Sequence, residues 1–168
     1  MHDPLTRLGN RDLFQQSLET SVINSTTDGT FFAILFMDMD GFKQINDKFG
    51  HAAGDSVLVV IAKRLRQCIR SDDRAFRLGG DEFAVILDPL ADNSLVKTVT
   101  ARINALVVRP IELECGTVLK VSVSIGSAIY PQDGFDSKAI LRFADERMYR
   151  SKRLRFGSRS QGGEVDHG

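Results

Sequence analysis

Acidic residues stand in three places along this chain where a fold has little need of them. MDMD (37–40) follows an apolar run, GGDE (79–82) separates two others, and HAAGD (51–55) opens a helical pattern. A hairpin turn needs small residues, and Gly79 and Gly80 meet that need without two acids beside them. Carboxylates presented by neighbouring strand ends can converge on a hard cation. Mg²⁺ characteristically takes one or two of them and fills its shell with water and phosphate oxygens. Each cluster taken singly has an ordinary explanation, with Asp40 capping the next helix and Asp81 and Glu82 as plain turn residues. Taken together, at the ends of strands expected to be sheet neighbours, they favour metal and phosphate chemistry.

The elements that must position these acids can be read from periodicity. A helix is expected over 11–24, with Leu13, Leu18 and Val22 apolar, broken by TTDG (26–29). FFAILFM (31–37) is short, continuous and bounded by turn signals, as a buried strand is. The acids follow it, then a short helix near GFKQIND that Gly50 ends. Over 52–70, Leu58, Ile61, Ala62, Leu65 and Ile69 share one helical face while Lys63, Arg64 and Arg66 lie off it. AFRL and FAVIL flank GGDE as a hairpin. A helix over about 92–107 leads to two strands, IELEC and TVLKVSVSIGSAI. In the second, Val121, Val123 and Ile125 alternate with Ser122 and Ser124. The last helix covers 136–152, with Ile140, Phe143, Ala144 and Met148 inward. The order implies an α+β fold, a central, mostly antiparallel sheet of about five strands flanked by helices in a ferredoxin-like sandwich, plus a small β-hairpin.

The totals bound the function. At 168 residues, 42% hydrophobic, the chain suits one domain with a substantial core. Lys+Arg and Asp+Glu balance at 22 each, which argues against long nucleic acid as the main partner and leaves room for a small phosphorylated ligand. The longest apolar runs fall far short of the roughly 20 residues that span a bilayer, and no signal peptide is expected. Cys68 and Cys115 have no metal or redox spacing, and histidines at 2, 51 and 167 are too scattered for a zinc site. A cytoplasmic domain without membrane insertion of its own is expected, with any tether lying in flanking regions. The domain is taken as 1–157, and the polar, glycine-rich residues 158–168 as a flexible tail or linker remnant.

Gly79-Gly80-Asp81-Glu82-Phe83 resembles the signature of the GGDEF family, the diguanylate cyclases, whose fold is nucleotidyl-cyclase-palm-like. The likeness extends in order over residues 3–153. Asp3-Pro4-Leu5-Thr6-Arg7-Leu8-Gly9-Asn10-Arg11 is similar to the family's D-x-L-T-x-L-x-N-R. Asp38 to Asp47 fits D-x-D-x-F-K-x-I-N-D, and Gly50 to Asp55 fits G-H-x-x-G-D. Ser124-Ile125-Gly126 and the later Ala144-Asp145 with Met148-Tyr149 match further motifs. The resemblance implies an enzyme that condenses two GTP into cyclic di-GMP plus pyrophosphate. Asp38, the Met39 carbonyl and Asp81 would hold Mg²⁺ or Mn²⁺, two ions per site, against the triphosphate. Asp81 or Glu82 would assist removal of the 3′-hydroxyl proton, and the sequence does not separate their roles.

The same resemblance has Asn46 and Asp55 reading the guanine edge. A carboxylate and an amide complement its N1 and N2 donors and O6 acceptor, whereas adenine would leave the carboxylate unpaired. Without the family match, a helix cap at Asp55 and a turn role at Asn46 are equally good accounts. His51 either supports the base or caps the helix. Phe42, Gly79 and Gly80 join the substrate-binding set, Lys43 offers phosphate charge among the catalytic residues, and Lys152 resembles the family's phosphate-binding lysine. The family pattern K-x-x-G-R-N is departed from here. The chain reads Lys152-Arg153-Leu154-Arg155-Phe156-Gly157-Ser158-Arg159, which leaves Arg155 and Arg159 as alternatives for a phosphate partner. Arg70-Ser71-Asp72-Asp73 fits the family's R-x-x-D inhibitory site, with Arg102 an additional contact, where cyclic di-GMP would bind as product inhibitor. A chance helix-end ion pair is the plain alternative. Catalysis would need a transient homodimer, since each chain supplies half the product. The competing reading is a catalytically weak module that senses GTP or cyclic di-GMP.

Overall fold

The computed structural model describes residues 1–161, with side chains described through Arg155. Helix α1 (Arg11–Asp28) starts where the Asn10 side chain accepts from the Leu13 amide at 3.0 Å and stops at Gly29, whose φ of 67° suits a residue without Cβ. It runs through the expected break at TTDG. Thr26 and Thr27 donate their hydroxyls back to the carbonyls of Val22 and Ile23, so only the glycine terminates it.

Strand β1 (Phe32–Asp40) also outlasts its apolar run. Asp38 and Asp40 lie within it, paired across to Ser124 and Ser122, because the neighbouring strand offers hydroxyls there in place of apolar side chains. Helices α2 (Phe42–Phe49) and α3 (His51–Cys68) follow, then the hairpin β2 (Arg74–Gly79) and β3 (Glu82–Leu87). Helix α4 (Ser94–Val107) precedes a small pair, β4 (Ile111–Glu112) and β5 (Val118–Leu119), and the long strand β6 (Ser122–Tyr130). Helix α5 (Ser137–Gln161) closes the described chain. It continues past the expected end at 152 and through Gly157. Residues 162–168, part of the expected tail, lie outside the described residues, as does the side chain of Arg159.

The main sheet has four strands in the order β2-β3-β1-β6, every neighbouring pair antiparallel, and β4-β5 form a separate two-stranded sheet. Alternation along β1 divides the core. Ala33, Leu35, Met37 and Met39 face α3 and α4 with Leu58, Ile61 and Ile103. Phe32, Ile34 and Phe36 face α1 and α5 with Phe14, Leu18, Ile140 and Ala144. Asp38 and Asp40 continue the second series, so their side chains emerge on the α5 face at the open end of the sheet. Among the described residues, no helix is long and apolar enough to cross a membrane.

Candidate active site

The register of β1 against β3 sets Asp38 opposite Glu82, and the Met39 amide donates to the Asp81 carbonyl at 3.2 Å. The hairpin tip is thereby fastened to the end of β1. The Asp38 carboxyl lies close enough to Asp81 to act on its protonation. Burial first, and then the carboxyl and charge of Asp38, push the Asp81 carboxyl up to about 6, against a smaller opposing pull from Lys152. Asp38 Oδ1 is buried with no hydrogen-bond partner. Its Oδ2 accepts from Lys152 Nζ at 2.8 Å, and the same ammonium lies 3.4 Å from the Met39 carbonyl. Lys152 thus rests on two of the atoms expected to hold the divalent cation. Asp40, the other acid of the motif, caps nothing. Gly41 is the N-cap of α2, and Asp40 is held by the hydroxyls of Ser122 and Ser124 at 2.6 and 2.7 Å and by Arg155 at 3.1 Å.

These donors suit a hard cation. Two carboxylates, one with an orphaned oxygen, and a backbone carbonyl are oxygen ligands of the kind Mg²⁺ and Mn²⁺ use beside phosphate. Among the described residues, no cluster of three or more His, Cys, Asp or Glu could hold a metal alone. An ion here would draw its remaining ligands from substrate and water.

Beyond β1, α2 meets α3 around Gly54. A Cβ on Gly54 would fall 1.9 Å from Asn46 Oδ1 and 3.2 Å from the Phe42 ring, so the amide and the ring lie against bare backbone. Asn46 Oδ1 is also buried without a partner, the only such side-chain atom besides Asp38 Oδ1 among the described residues. Asp55 follows Gly54, exposed and well inside α3, whose N-cap is Gly50; neither Asp55 nor His51 is the cap. Lys43 is exposed on α2, and Gly79 and Gly80 are exposed at the tip with φ of 139° and 50°.

The family model for the diguanylate cyclase GGDEF domain matches residues 1–158. The chain belongs to the GGDEF family. It is 44% identical over 158 residues to the diguanylate cyclase TpbB of Pseudomonas aeruginosa, covering 94% of this chain and 36% of that protein. The diguanylate cyclase DgcN of Escherichia coli is 39% identical over 155 residues, covering 92% and 38%. The chain therefore spans little more than a third of these relatives. Among solved structures, a truncated TpbB comprising only the GGDEF domain superposes with a TM-score of 0.89 at 44% identity, covering 92% of this chain and 90% of that one. The GGDEF domain of DgcB from Caulobacter crescentus, in complex with c-di-GMP, gives 0.85 at 30% identity, with 90% of each chain covered.

In this GGDEF domain, Arg70 and Asp73 form a two-pronged ion pair. Arg70 Nε and Nη2 donate to the two carboxylate oxygens of Asp73 at 3.0 and 2.8 Å, and the Arg70 amide adds a bond of 2.9 Å. Hydrogen bonding to Asp73 raises the Arg70 guanidinium above its ordinary value, against a lesser loss from burial. Arg102 donates to the Cys68 carbonyl at 3.0 Å, at the end of α3 that leads into this pair.

Sequence reasoning passed over the residues that hold the tip: Asp3, Arg11 and Arg77. The first two belong to the opening motif, yet no local signal says that they reach β2 and β3, because those contacts span 74 and 71 residues of chain.

Proposed function

We propose that this domain condenses two GTP molecules into cyclic di-GMP, releasing two pyrophosphates. The observation that carries this reading is the meeting of Asp38 and Asp81, carboxylates from separate strand ends brought together where the Met39 amide binds the Asp81 carbonyl, beside an orphaned, buried Asp38 oxygen. Asp38, the Met39 carbonyl and Asp81 would hold Mg²⁺ or Mn²⁺, two ions per site, which when bound supply Lewis acidity and charge neutralisation to phosphoryl transfer. Lys152, now balancing the charge of Asp38, is well placed to exchange that carboxylate for a phosphate, with Lys43 as a further cation. The attacking 3′-hydroxyl gives its proton to a tip carboxylate, Asp81 or Glu82. Gly79 and Gly80 let the triphosphate approach the backbone closely.

Asn46 brings a buried amide oxygen that lacks a partner, and a guanine N–H donor satisfies it. Asp55 pairs with the remaining donors of that edge, flanked by Phe42 and His51. Adenine, with an acceptor at N1 and no N2 amino group, would leave the Asp55 carboxylate unpaired. Each chain binds one GTP, so product forms in a transient homodimer. Arg70 and Asp73, with Arg102 nearby, form the candidate inhibitory site for cyclic di-GMP, since an arginine already held flat by a carboxylate can stack on guanine and reach phosphate. Incubation with GTP and Mg²⁺ at rising protein concentration, followed by chromatographic identification of the product, tests the reading. Cyclic di-GMP is expected, and its absence at every concentration would overturn it.

A further inference from the structure

The hairpin tip contains two consecutive glycines, both with positive φ, beyond a register shift between Arg77 and Gly79. Such a segment has more backbone conformations open to it than any other part of the sheet. Two arginines remove that freedom. Arg77 donates through Nε and Nη2 to the Gly80 carbonyl at 3.0 and 2.8 Å, while its Nη1 lies 3.1 and 3.3 Å from the two oxygens of Asp3. Arg11 donates to the Leu78 carbonyl at 3.1 Å and to Glu82 Oε2 at 3.2 Å. The residues on both sides of Asp81 are therefore gripped from the opening segment of the chain.

Asp3 is itself fixed. Its Oδ2 accepts from the Thr6 amide and hydroxyl at 2.8 and 2.7 Å, and the Asp3 amide donates to the Leu8 carbonyl at 2.7 Å. The turn ends on Gly9, whose carbonyl accepts from the Arg77 amide at 2.9 Å and whose missing Cβ would fall 2.6 Å from the Phe76 ring. The opening motif thus lies flat along β2. Of the two ion pairs, Arg77–Asp3 dominates. Its side chains are 16% and 15% exposed, against 57% and 38% for Arg11–Glu82, where water screens the attraction. Burial works to raise the Asp3 carboxyl, but the Thr6 hydrogen bonds and the Arg77 charge outweigh it and hold the group below its ordinary value.

We infer that Asp3 and Arg77 are positioning residues for the tip, a strap from the opening segment that holds Gly80, and through it Asp81, where the carboxylate meets Asp38. The turnover part of this inference rests on the cyclase reading; the tip geometry does not. A misplacement of about 1 Å can cost on the order of a hundredfold in rate.

The test compares Arg77→Lys, which keeps the charge but loses the fork, and Asp3→Asn, with Ile103→Val as a control that loosens the buried core under α4 without touching the strap. GTP affinity is measured in EDTA and again with Mn²⁺, alongside kcat. Both strap variants should keep the metal-free affinity within about twofold, lose about tenfold of the gain that Mn²⁺ confers, and fall about tenfold or more in kcat. Ile103→Val should melt lower yet keep the Mn²⁺ gain. A wild-type Mn²⁺ gain in both strap variants, or an equal loss in Ile103→Val, would overturn the inference. Should Arg77→Lys fail to fold, Asp3→Asn decides. If the wild-type domain gives no cyclic product, the cyclase reading fails, and the Mn²⁺ comparison still decides the strap.

Discussion

At the residue scale, the site depends on atoms left without partners and on the glycine that makes room for one of them. Replacing Gly54 with Ala sets a Cβ 1.9 Å from Asn46 Oδ1. The amide is the free end of a side chain and can swing away, and Ala favours a helix by about 1 kcal/mol over Gly, so the fold should tolerate the change. Guanine recognition should not: the GTP KM is expected to rise about tenfold or more while the melting temperature holds. The same scale sets a pH dependence. The Asp81 carboxyl is raised from 3.8 to about 6 by burial and by Asp38, so the folded chain keeps this proton to higher pH than the unfolded chain does. The contribution to stability is therefore full at low pH and is lost as pH rises through that interval. Asp81→Asn removes the slope. In EDTA melts it should match the wild type near about pH 4 and exceed it above about pH 7; parallel curves would contradict the raised value. The acids were legible as residue types suited to a cation, whereas Asn46 suited a turn role and a guanine contact equally without the family resemblance. The seat of Lys152 on Asp38 was not legible, because it depends on a contact 114 residues apart.

At the element scale, strand ends and helix ends were the least legible features, for reasons visible in side-chain chemistry. β1 continues through Asp38 and Asp40 because β6 runs in register beside both and its Ser122 and Ser124 each donate to Asp40, serines that periodicity treats as polar positions rather than partners. α1 crosses TTDG because threonine hydroxyls can bond back within a helix, leaving Gly29 as the stop. The periodic cores of α3 and α5 were legible, since Leu58, Ile61, Leu65, Ile140, Ala144 and Met148 are all buried as their spacing requires. Gly126 shows how tightly β6 and α5 are joined. A Cβ there would lie 2.0 Å from the Ala144 carbonyl oxygen and 2.2 Å from the Met148 amide nitrogen, both backbone atoms that cannot rotate aside. Gly126→Ala should therefore destabilise the domain by about 1–3 kcal/mol in urea denaturation. It should also loosen the α5 turn that brings Lys152 to Asp38. A variant of wild-type stability would mean that α5 can slide on the sheet.

At the scale of the whole molecule, one chain brings one Asp38–Asp81 pair and one Asn46–Gly54 cradle. The proposed product has two guanosines joined by two phosphodiester bonds. If each chain serves the α-phosphate of its own GTP, each bond belongs to one chain, and the two half-sites must meet to close the ring. Turnover per chain should then rise with concentration at saturating GTP, and a constant value would exclude a transient dimer. A mixing experiment is sharper. An Asp81→Ala chain keeps its guanine cradle and supplies a 3′-hydroxyl, but it lacks the carboxylate that completes its own half. Paired with a wild-type chain it permits one bond and not the second. Added in excess, the variant should suppress cyclic product per wild-type chain and release the linear dinucleotide that still carries a triphosphate. Undiminished cyclic product under excess variant would mean that one complete half-site makes both bonds, and the face-to-face arrangement would have to be abandoned.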